Sequence, residues 1–155
     1  MPTDLTDEKC RELLQKALES TVNSEDLWLK SGEGSGAAVL TRSGKIYSAS
    51  QKSRASGGGR HAEALALDIA AQNNQKDPVV AVALVSSNPK ARDQFWRACG
   101  HCRQEYSDHL LYLRKNKVIE EDYDITFIFG KPNLDYKTYK LSELLPYAWE
   151  PADKG

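Results

Sequence analysis

Cysteine is scarce in this chain: 3 residues among 155, an odd number and too few for a disulfide framework, so thiolate chemistry or metal ligation is the better use for them. Net charge is scarce too. With 21 Lys and Arg against 22 Asp and Glu, the formal charge is −1, which removes the broad positive field that general nucleic-acid binding requires. No apolar run approaches the roughly 20 residues of a membrane span. The opening, MPTDLTDEKC, is acidic where a secretory leader would be basic and then apolar. These absences point to a cytoplasmic protein with no role for general nucleic-acid binding or a membrane, with a local basic patch left open. The length suits one domain, residues 1–155, with a tail from about 142. No internal repeat or low-complexity segment breaks it.

What is present is periodicity. Asp7 and Glu8 followed by Cys10, Leu13, Leu14, Ala17 and Leu18 predict a helix over about 6–20, with acids in the turn where the dipole favours them. Cys10 falls on its apolar stripe and reads as a small core residue. A polar, glycine-rich stretch leads into a hairpin, 37–41 and 46–50 around Ser43-Gly44. Gly32, Gly34 and Ala37 satisfy a dinucleotide fingerprint by spacing, but they open a strand where that motif must open a helix. SRASGGGR, 53–60, lacks the Gly-Lys-Ser/Thr ending of a phosphate loop. A second helix starts at Ala62 and ends before Asp77-Pro78. Residues 79–85 form a β-branched run typical of a strand covered on both faces. After an irregular connection, Cys102, Tyr106, His109, Leu110 and Leu113 share one side of a third helix, and strands follow at 125–129 and 136–140. The order is that of an α/β protein with a mixed sheet of about five strands and helices on its faces.

Two short motifs carry chemistry. His61-Ala62-Glu63 opens the second helix, and Cys99-Gly100-His101-Cys102 opens the third. Zinc favours imidazole and thiolate ligands, so His61, Cys99 and Cys102 form a candidate three-ligand site that keeps one position for water. Helix starts favour thiolate over thiol. Two positions apart on a regular helix diverge by about 200°, so His61 and Glu63 serve one centre only if the metal lies off the helix end. Glu63 is then placed to move protons as a general acid and base. Arg60 and Arg103 flank the ligands and could add positive potential, though a solvated surface position is the commoner fate of an arginine. His101 is expected to be exposed, and His109 to pack in the core or an interface. Two rivals stay open: a thiol-disulfide oxidoreductase built on Cys-Gly-His-Cys, and a closed structural zinc site with Cys10 as fourth ligand.

H-x-E followed by C-x-x-C is also the arrangement of the zinc deaminases. From about residue 6 to 150 the chain resembles the cytidine deaminase superfamily, on Gly36-Ala37-Ala38, His61-Ala62-Glu63, Cys99-Gly100-x-Cys102-Arg103-Gln104 and Glu143-Leu144-Leu145-Pro146. The ending, Tyr147-Ala148-Trp149-Glu150, is most similar to the blasticidin-S deaminase branch. The resemblance implies a three-layer α/β/α fold, usually a homotetramer, with one Zn2+ per chain. It implies hydrolysis of an amino-pyrimidine to its oxo form with loss of ammonia, on cytidine or a larger cytosine compound such as blasticidin S. It further implies that the backbone at Ala62 reads the pyrimidine edge and that Tyr147 and Trp149 close over the base. Three positions depart from the family pattern. Ala98 replaces the proline before the first cysteine, Gln51 and Ser53 stand where an Asn-x-Glu pair holds the sugar, and Gly34-Ser35-Gly36 replaces the aromatic approach to the first strand.

Overall fold

A computed structural model describes residues 5–56 and 58–152. The first acid of the N-terminal stretch, Asp4, one glycine of the 53–60 loop and the last three residues of the expected tail lie outside the described residues. Helix α1, Asp7–Ser20, starts where the Thr6 hydroxyl accepts a bond from the Lys9 amide at 3.1 Å. The hairpin follows as β1 (Ser35–Thr41) and β2 (Ile46–Ser50), with Gly44 at φ 93° in its turn, a conformation a side chain would strain. Then come α2 (Ala62–Asn73), β3 (Val79–Ser86), α3 (Gly100–Lys115), β4 (Thr126–Gly130), β5 (Tyr136–Lys140) and the one-turn α4 (Leu141–Leu144). Two short 3-10 turns, Thr21–Asn23 and Pro89–Ala91, complete the order.

The strands form one mixed sheet of five, as the periodicity predicts, in the order β2-β1-β3-β4-β5. Only β3 and β4 pair in parallel, which requires a crossover, and α3 supplies it. Strand alternation divides the apolar residues between two layers. Ala38, Leu40, Ala81, Ala83, Val85 and Ile128 face Cys10, Leu13, Leu14 and Ala17 of α1. Ala37, Val39, Val82, Leu84, Phe127 and Phe129 face α2 and α3. The result is a three-layer α/β/α arrangement. Burying Leu13 and Leu14 completely stabilises the α1 layer by about 2 kcal/mol each. α1 approaches β1 so closely that a Cβ on Gly36 would lie 2.1 Å from the Ala17 carbonyl oxygen, so only glycine fits there. No helix among the described residues is long and apolar enough to cross a membrane.

Candidate active site

His61 and Cys99 are not interior helix residues. Each is the N-cap of its helix, in extended backbone (φ −71°, ψ 151° and φ −74°, ψ 168°), with no capping bond from its side chain. That frees both side chains to project past the helix ends. His61 Nδ1 lies 3.3 Å from Cys99 Sγ and 3.4 Å from Cys102 Sγ, and all three donor atoms fall within 4.8 Å of one another. Tetrahedral zinc with ordinary Zn–N and Zn–S bonds puts its nitrogen and sulfur ligands about 3.5 Å apart. One imidazole and two thiols at this spacing therefore fit a zinc ion in both geometry and donor type. Cys10, the fourth ligand of the closed-site rival, is instead packed into the α1 layer on the opposite face of the sheet. That placement removes the closed site.

Glu63 sits in the first turn of α2 and is 4% exposed. Burial raises its carboxyl above the usual range, against the opposing pull of its own backbone amide and His61. Burial and the adjacent Glu63 likewise push the Cys102 thiol upward. The turn is fixed from α3: the Tyr106 hydroxyl donates to the Glu63 carbonyl at 2.8 Å, and the Tyr106 ring meets Phe127 edge-on at 5.2 Å. Beside these groups lies a cavity of about 340 Å³ whose lining includes Asp26, Gln51, His61, Glu63, Trp96 and Cys99. A buried carboxyl shifted by desolvation and set beside a ligand cluster at a cavity is the arrangement expected of a proton-transfer site.

The cations behave differently from expectation. Arg60 donates to Glu105 at 2.9 and 3.2 Å and to Asp68 at 2.7 Å, so its charge is offset by two acids. Arg103 donates to the Ala98 carbonyl at 2.9 Å and the Leu144 carbonyl at 3.1 Å, which ties the cysteine loop to the tail. His101 points outward, 72% exposed, 3.0 Å from Glu105, and is no ligand. His109 is partly buried. Its Nε2 has no hydrogen-bond partner among the described residues, and burial holds its pKa down at about 4.

Two lining residues escape a sequence reading. Gln51 Oε1 accepts from the Ser35 amide at 2.7 Å and the Ser35 hydroxyl at 2.9 Å, while Gln51 Nε2 donates to Asp26 at 2.7 Å. The Gln51 amide is thereby committed to the protein, and Asp26 is the carboxylate presented at that end of the cavity. Asp26 arrives there because Glu25 pairs with the chain after β2, through Glu25 N to the Gln51 carbonyl and Ser53 N to the Glu25 carbonyl. No local pattern announces it. Trp96 arrives through the irregular connection before Cys99, anchored by its amide to the Gly130 carbonyl at 3.1 Å. Ala62, by contrast, is wholly buried. Tyr147 and Trp149 are 104% and 68% exposed, and the structure does not bring them to the lining of this cavity. Gln104 holds the Trp149 carbonyl at 2.9 Å.

No family model matches the chain. No curated protein matches it by sequence. Among solved structures, it is similar to cytidine deaminase from Burkholderia pseudomallei, at 22% identity and TM-score 0.65 over 89% of this chain and 97% of that one. The cytidine deaminase from Mycobacterium tuberculosis aligns at 19% identity and TM-score 0.61, covering 90% and 96%. The cytidine deaminase from Bacillus anthracis aligns at 17% and 0.60, covering 90% and 89%. The fold is thus that of the cytidine deaminases along nearly its full length.

Proposed function

We propose that this chain is a zinc-dependent hydrolase that deaminates a cytosine-bearing small molecule, either a cytidine-type nucleoside or blasticidin S, to the uracil form with release of ammonia. The observation that carries the reading is the convergence of His61, Cys99 and Cys102 beside buried Glu63 at one cavity, in a fold shared with cytidine deaminases. His61, Cys99 and Cys102 would hold the ion, which when bound supplies the Lewis acidity that makes water nucleophilic near neutral pH. Glu63 takes a proton from the attacking water as its oxygen bonds to C4 of the base. The carboxyl gives that proton to N3, then takes the proton of the new C4 hydroxyl and passes it to the 4-amine, so that C4=O forms as the C4–N bond breaks and ammonia leaves, N3 keeping its proton. Desolvation of Glu63 favours its protonated form, which suits the delivery half of that cycle.

The reading extends to the rest of the site. The main chain at Ala62 reads the pyrimidine edge, and Tyr147 and Trp149 close over the base, from their own subunit or a neighbour in a cytoplasmic homotetramer. The exposure of both aromatic side chains supports a role that needs a partner or a bound substrate. The competing use of Cys99 and Cys102 as a redox pair is disfavoured by the contact both sulfurs make with His61. An ultraviolet assay comparing cytosine, cytidine, deoxycytidine and blasticidin S, run beside insulin reduction, separates the two. Turnover of at least one cytosine compound and no reduction is expected. Insulin reduction without deamination would reverse the assignment.

A further inference from the structure

Positive charge near the metal corner is neutralised or internally bonded on most sides. Arg60 is held by Glu105 and Asp68, Arg54 by Glu25, and Arg103 by two carbonyls. Arg97 differs. It is exposed, and among the described residues it forms no ion pair or side-chain hydrogen bond. It also lines two cavities at once: the one beside Glu63, and an adjoining one of about 300 Å³ floored by Phe95, Phe129 and Tyr139 and edged by Lys137. The floor is rigid, because Phe129 packs on Tyr139 at 5.5 Å and the Trp96 amide pins the loop to the end of β4.

The two lysines here are positioned without being neutralised. Lys137 and Lys131 stand 4.8 and 4.5 Å from the centre of the Phe95 ring, and neither has an ion pair among the described residues. A ring face attracts an ammonium but leaves its full charge available to a ligand, unlike a carboxylate. Against Arg97 and Lys137 the cavity lining sets one acid, Asp93, and Lys131 adds its charge from the Phe95 ring nearby. A cleft with aromatic walls and a surplus of cations focuses its field on an anion. The lining of the Glu63 cavity also holds the Asp26 carboxylate, bonded by Gln51 and able to accept from hydroxyls, together with Arg60 and with Lys52, whose ammonium donates to the Asn23 carbonyl. Of the cations that line the two cavities, Arg97 and Lys137 are therefore the ones held by no carboxylate or carbonyl among the described residues.

We infer that the cavity of Phe95, Arg97 and Lys137 is an anion subsite of the same active site, so that the preferred substrate is a cytosine compound whose sugar carries an anionic group. The inference rests on the deaminase reading for the position of the base at Glu63. A base so placed sends its sugar past Trp96, with hydroxyls toward Asp26 and the anion toward Arg97. Phosphate and carboxylate both satisfy this chemistry.

The test compares zinc-loaded protein on cytidine, cytidine 5′-monophosphate and blasticidin S, whose sugar bears a carboxylate, together with calorimetric binding of uridine and uridine 5′-monophosphate. A kcat/KM at least about tenfold higher for an anionic compound than for cytidine is expected, and the compound preferred identifies the anion. Arg97→Ala and Lys137→Ala should each cut that ratio about tenfold, while Lys115→Ala, remote on α3, should leave it unchanged. If phosphate is the anion, uridine 5′-monophosphate should bind about tenfold tighter than uridine at low salt, the difference shrinking as salt rises. Turnover of cytidine with no anion preference in rate or binding would overturn the subsite and leave the deaminase reading standing. Tighter, Arg97-dependent binding of the monophosphate in a protein that turns over no cytosine compound would do the reverse.

Discussion

Cys102 and Glu63 are 0% and 4% exposed, whereas Trp149 and Tyr147, the tail residues expected to meet the same substrate, are 68% and 104% exposed. His61 and Cys99 are exposed as well, so the contrast lies in how the groups are held. At the corner where α2 and α3 begin, each chemical group has a second group fixing it: Tyr106 clamps the Glu63 turn, and both sulfurs lie against His61. At the rim, Trp96 and Arg97 sit on irregular backbone, and Arg97 has no polar side-chain partner among the described residues. Chemistry demands placement to within a fraction of an ångström, while recognition tolerates adjustment. The two regions are built accordingly.

The sharpest way to separate them is at Glu63. Glu63→Gln keeps the shape and the ligands but removes the proton carrier, so a loss of deamination of about a thousandfold is expected with zinc content unchanged. Parallel turnover and metal analysis check it. Next in size, Gly36→Ala should lower stability by about 3 kcal/mol, because the added methyl meets the Ala17 carbonyl in a layer that cannot yield. A urea midpoint that barely moves would mean the α1 layer is looser than its packing indicates.

A smaller effect is expected at His109, partly buried on α3. Burial lowers the His109 pKa from 6.5 in the unfolded chain to about 4 in the folded one. Between those values the unfolded chain binds a proton that the folded chain refuses, so stability is full above pH 6.5 and falls as pH drops toward 4. The loss is on the order of 2 kcal/mol after discounting for partial exposure. His109→Gln should flatten that slope relative to the parent chain, as measured by denaturation midpoints across the range. The smallest effect belongs to the tail. Tyr147→Ala and Trp149→Ala should change stability by less than about 0.5 kcal/mol and act instead on KM. A large drop in melting temperature would place the tail in the folded core.

The corner and the sheet were legible because they obey short-range rules. Helical stripes placed Cys10, Leu13 and Leu14, the β-branched run placed β3, and Tyr136–Lys140 emerged at its expected bounds. The divergence of positions 61 and 63 on a regular helix required a shared metal to lie off the helix end, and His61 is found as the N-cap, free to project that way. The rim was illegible for an equally physical reason. Asp26 reaches the cavity through pairing between residues 25 and 52, and Arg60 is taken up by Glu105, 45 positions away. Loop pairings and long-range ion pairs leave no periodic trace in a sequence. α4 and the 3-10 turns are likewise too short to produce one.

Metal stoichiometry tests the central claim most directly. Protein purified without chelator should carry about one zinc per chain, Glu63→Gln and Cys10→Ser should match it, and His61→Ala and Cys102→Ser should fall close to zero while remaining folded by circular dichroism. Zinc retained in the His61 and Cys102 variants, or lost in Cys10→Ser, would contradict a site made by the two helix starts.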